Sequence, residues 1–96
     1  MKYFHRTSLT PDEVIASAAS YFGARMGPTH EGRRARRFSS GLGQVSITVE
    51  AEGGHYTLIG IETDQPGESE LDKVAKRFLT TVHAQADRRH VVRGAY

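Results

Sequence analysis

The chain has no cysteine. A disulfide framework, a thiol nucleophile and a thiolate metal site are therefore excluded. It also has no apolar run approaching the ~18 residues that a membrane span needs. Met1–Arg6 carries no apolar signal-peptide core, so a cytoplasmic protein is expected. Charge of one sign is scarce: 13 basic and 11 acidic residues give a formal net charge of +2. That balance alone does not predict a nucleic-acid partner. No internal repeat or low-complexity segment is present, and 96 residues make a single domain. We place that domain at residues 1–90 and a short C-terminal tail at residues 91–96.

The most informative stretch is Gln44–Thr63. Val45, Ile47, Val49 and Ala51 alternate with Gln44, Ser46, Thr48 and Glu50, the period of a strand with one buried and one wet face. Gly53-Gly54 marks a turn, and Tyr56–Thr63 follows as a second strand. A three-residue loop sets Ile59 opposite Val49 and Ile61 opposite Ile47, a better apolar match than the register of a two-residue turn. The second strand is apolar in both phases, so Tyr56 and Leu58 fall on the face away from Ile59 and Ile61.

Lys2–Ser8 reads as a short strand with Tyr3 and Phe4 on opposite sides. Thr10-Pro11-Asp12-Glu13 is a capping box with proline at the first helical position, and Leu9 with Val14 supplies a hydrophobic staple. The stripe Ile15, Ala19, Phe22, Met26 continues the helix to Gly27-Pro28, a rod of ~24 Å. Thr29–Gly32 reads as a loop. Arg34–Ser39 reads as a strand paired with Gln44–Ala51, its register set by placing Phe38 beside Val45 and Ile47. Gln65-Pro66-Gly67 is a break. A second helix from about Glu68 to about Arg88 carries the stripe Leu71, Val74, Phe78, Val82. The expected fold is α+β: a two-layer sandwich in the order β-α-β-β-β-α. About four antiparallel strands carry both helices on one face, with the first strand beside the last.

The helix start Leu9-Thr10-Pro11-Asp12-Glu13-Val14 after a strand, a meander and a long final helix resembles the START-like superfamily and its small TATA-binding-protein-like relatives. That resemblance implies an apolar ligand held under a larger sheet, and it carries no site residue onto this chain. Gly27-Pro28-Thr29-His30 and Asp72-Lys73-Val74-Ala75-Lys76 resemble two motifs of the double-stranded-RNA-binding domain, implying contact with phosphates. Here the loop motif directly follows a helix, and Glu68, Glu70 and Asp72 put negative charge where phosphates would lie.

Few residues propose chemistry. His83, Asp87 and His90 recur along the second helix like a metal set, but the histidines are ~10 Å apart along the axis. His83 and Asp87 read instead as a surface pair. Gly41-Leu42-Gly43 joins two strands and lacks the lysine of a phosphate loop. Ser39, Ser40 and His55 form no recognisable nucleophile set. We therefore expect no catalysis, cofactor or metal. The expected function is protein interaction, as an accessory subunit or homodimer, through the open sheet face and the tail (Arg37, Thr48, Tyr56, Leu58, Val91, Val92, Tyr96). The alternatives are nucleic-acid binding through Arg33, Arg34, Arg36 and Arg37, and carriage of a small apolar ligand.

Overall fold

The computed structural model describes the backbone of residues 1–94 and the side chains of residues 1–87. In chain order it contains β1 (Lys2–Thr7), α1 (Pro11–Gly23), β2 (Gly27–Glu31), β3 (Ala35–Ser40), β4 (Gly43–Glu52), β5 (Tyr56–Thr63) and α2 (Glu70–Gly94). All strands join one antiparallel sheet in the order β1-β5-β4-β3-β2. β1 lies beside β5, the last strand.

The β4–β5 register follows from apolar matching. Ile59 pairs with Val49, Ile61 with Ile47, and Glu52 with Tyr56 across a three-residue loop. Gly53 and Gly54 both adopt positive φ there (60° and 77°), a conformation glycine adopts without steric cost. Phe38 pairs with Val45 on the same face. That face meets both helices, and the shared core runs from Leu9, Val14 and Ile15 through Val45, Ile47, Ile59 and Ile61 to Leu71, Phe78 and Val82. Phe22 is its centre. Its ring lies 5.5 Å from Phe38 and 5.1 Å from Phe78. The Tyr21 hydroxyl donates to the Val74 carbonyl at 3.0 Å, tying α1 to α2.

Three sequence expectations require correction. The sheet has five strands rather than about four, and the order is β-α-β-β-β-β-α. The extra strand, β2, is Gly-Pro-Thr-His-Glu, exposed along its whole length. It shows no alternation, and it holds a proline where only an edge strand tolerates one. Its pairing with β3 slips between Pro28 and His30. The first helix ends at Gly23 instead of Met26. The Arg25 and Met26 amides both bond the Phe22 carbonyl, so the chain turns while Met26 stays buried. The second helix runs past Arg88 to Gly94, so residues 91–94, expected as tail, are helical. The side chains of Val91 and Val92, and Tyr96 itself, lie outside the described residues.

The start of α1 forms as its residues dictate. The Glu13 amide donates to the Thr10 hydroxyl at 3.2 Å, and the Thr10 amide donates to the Glu13 carboxylate at 3.0 Å. Thr10→Ala is expected to cost about 1 kcal/mol, measurable as a lower urea midpoint with an unchanged slope.

The start of α2 is fastened differently. Ser69 caps it, accepting the Asp72 amide at 3.1 Å. The Asp72 carboxylate is itself buried. It accepts the Tyr3 hydroxyl of β1, the Glu68 amide at 2.9 Å and the Lys76 ammonium at 3.1 Å. Glu68 takes a positive φ of 67° to present that amide. The Tyr3 hydroxyl first, and then the Glu68 amide, hold the carboxyl at a pKa of about 2. An unfolded aspartate titrates near ~3.9. The stabilisation is therefore complete above that value and is lost as pH falls through about 4 toward 2. Asp72→Asn should lower stability at neutral pH. It should also flatten the fall below pH ~4, read as the wild-type-minus-variant difference in urea midpoints. A difference that stays constant from pH 7 to pH 2 contradicts this assignment.

Candidate functional site: the uncovered sheet face

The alternation that buries Val45, Ile47 and Val49 sends every other side chain to the far side of the sheet. Register fixes which residues share that side. One row crosses the strands as Lys2, Glu62, Ser46, Arg37 and His30. The next is Phe4, Gly60, Thr48 and Ala35, and then come Arg6, Leu58 and Glu50, with Tyr56 beside Glu52. Both helices contribute to the core on the other side. Among the described residues, no helix lies across this face.

The exposed apolar groups gather on its β1–β5 half. Phe4 is 63% exposed and Tyr56 57% exposed, and half-buried Leu58 sits on the diagonal between them. Phe4 stands against Gly60. A methyl group built at Gly60 would meet the Phe4 ring at 3.5 Å and the Thr48 hydroxyl at 2.8 Å. The ring thus covers backbone that glycine leaves bare. Beside this ridge the surface dips over Gly60, Thr48, Ser46 and Ala35. Two hollows of about 140 and 240 Å³ lie there and share Ser46 and Thr48. Lys2, Phe4 and Glu62 wall one, and His30 and Arg37 wall the other.

Charges on the face balance. Lys2, Arg6 and Arg37 are matched by Glu50, Glu52 and Glu62. The Arg6 Nε donates to Glu52 at 2.7 Å. Glu50 and Arg37 have no ion-pair partner among the described residues.

The arginines expected to act together are separated. Arg34 reaches across to Asp12 of α1 at 3.3 Å. Arg36 shares the inner side with Ile47, bonds the Gly32 carbonyl at 2.9 Å, and sits 3.7 Å from Glu31. Arg33 is exposed in the connection before β3, and only Arg37 joins Thr48, Tyr56 and Leu58 on the open face. In sequence the five-residue run looks like one cationic patch; alternation and two acidic neighbours divide it.

His83 and Asp87 form an exposed pair 3.2 Å apart on α2. The His90 side chain lies outside the described residues. Among the described residues no three His, Asp or Glu side chains gather as metal ligands do, and no helix is long and apolar enough to cross a membrane.

Phe4, Lys2, Arg6 and Glu62 belong to the face and are absent from the sequence-derived site. A register signal for Phe4 did exist. Gly60 is the one position of β5 without a side chain, and a neighbouring strand that places an aromatic opposite it relieves the gap.

Comparison of the chain with protein-family models and with curated proteins gives no match.

Proposed function

We propose that this protein is a non-catalytic interaction module that docks a protein partner through the open face of its sheet. The observation that carries this reading is the ridge of Phe4, Leu58 and Tyr56, two of them more than half exposed, on the face that the helices leave free. Clustered apolar side chains rimmed by charges mark contact surfaces. Balanced charge on that face favours a protein over nucleic acid. Phosphate binding requires a surplus of cations, and here three carboxylates oppose three cations. The ring cluster of Phe22, Phe38 and Phe78 fills the layer between sheet and helices. A START-like carrier holds its ligand in that layer, so the filled layer supports docking over carriage.

The test is site-specific photo-crosslinking in cells that make the protein. A benzoylphenylalanine at position 56, in place of the exposed Tyr56 ring on the face, should form a discrete crosslinked species. The same group at position 20, exposed on α1 in the helix layer, should not. Position 56 giving no more product than position 20 overturns the proposal.

A further inference from the structure

We infer that the occupant of the open face is a second copy of this chain, packed sheet to sheet about a two-fold axis that runs along β5. This rests on the docking reading above and names its partner. A two-fold contact sets each patch against itself, so the face must be self-complementary.

A face-to-face pair can turn about an axis that crosses the strands or one that runs along a strand. An axis crossing the strands at the level of Phe4 sets Lys2 over the partner copy's Arg6, like charge on like. An axis along β4 sets Glu50 on Glu50 and Glu52 on Glu52, and lays Phe4 over the partner copy's edge strand β2 instead of over the hollow at Thr48. An axis along β5 exchanges β1 with β4. Arg6 then lies over Glu50 of the other copy, twice by symmetry, and Glu50 has no ion-pair partner of its own among the described residues. The Phe4 ridge meets the hollow at Thr48 and Ser46. Leu58 and Tyr56 meet their own copies on the axis. The one repeated charge is Glu62, which lies at the rim beside Lys2 of its own chain. Unlike the other two, this axis covers Phe4, Leu58 and Tyr56 together and sets Arg6 over Glu50.

Three strands spaced ~4.8 Å apart, with ~3.3 Å rise per residue, give a patch roughly 14 Å by 25 Å. At roughly 350 Å² per copy this is smaller than a standard stable interface, so a weak, reversible dimer is expected.

Sedimentation equilibrium on the full chain tests the geometry by charge exchange. Wild type should dimerise. Arg6→Glu alone and Glu50→Arg alone should each weaken dimerisation at least tenfold, because both symmetric contacts become repulsive. An equimolar mixture of the two variants should dimerise again, since each contact then joins opposite charges. That recovery also shows both variants to be folded. A monomeric wild type at 100 µM, a dimer indifferent to both reversals, or a mixture that stays monomeric overturns the inference. The crosslink at position 56 separates the two claims. A product containing another protein in place of a second copy ends the dimer while leaving the docking face intact, and no product ends both.

Discussion

Phe22→Ala lowers the free energy of unfolding by about 3–5 kcal/mol. The size of the effect follows from position. Phe22 is fully buried, and its ring contacts Tyr21, Phe38 and Phe78. One removal therefore loosens α1, α2 and β3 together. Little around it can collapse into the gap, because Ile47, Ile59 and Ile61 are anchored by their strands. Domains of this size have net stabilities of roughly 5–15 kcal/mol, so the variant should be partly unfolded on mild warming. Urea denaturation followed by circular dichroism measures it. A loss below about 1 kcal/mol would show that the three rings do not form a single packed centre.

The second large effect concerns function, with stability held nearly constant. Thr48 is exposed at the middle of the open face, between Gly60 and Ala35. Thr48→Arg should change stability by no more than about 0.5 kcal/mol, as a surface substitution. It should also weaken docking at least 100-fold. An arginine there fills the hollow that receives the partner and buries an unpaired charge, and a loss of about 3 kcal/mol corresponds to that factor. A matching change on the helix side, Ser20→Arg, should leave docking unchanged. Equal effects from the two variants would remove the face from the account.

Much of this architecture was legible in the residues themselves. Thr10 and Glu13 specify the first helix start because their bonds are local. Val45, Ile47 and Val49 specify the inner face because strand periodicity admits only one grouping. The β4–β5 register followed from matching isoleucine and valine across the turn. β2 was not legible. Its pairing is supplied by β3, and nothing within Gly27–Glu31 alternates. The end of α1 was also hidden, since Met26 keeps the apolar spacing of the helix although the chain has already turned. On the face itself, Thr48, Tyr56, Leu58 and Arg37 could be placed from alternation. Phe4 was missed, because its partner strand lies more than fifty residues away in sequence and bare Gly60 was the one local sign of the pairing. The arginine run misled for a physical reason: a strand sends neighbours to opposite sides, so adjacent cations do not make one patch.

The central claim is that Phe4 and Tyr56 are covered when the protein is at work. Oxidative footprinting in cells that make it, set against the purified chain at submicromolar concentration, tests this most directly. Leu42, 47% exposed at the β3–β4 turn, serves as the internal standard. The account predicts labelling of Phe4 and Tyr56 several-fold lower in the cell, with Leu42 unchanged. Equal labelling of all three residues in both settings would contradict it.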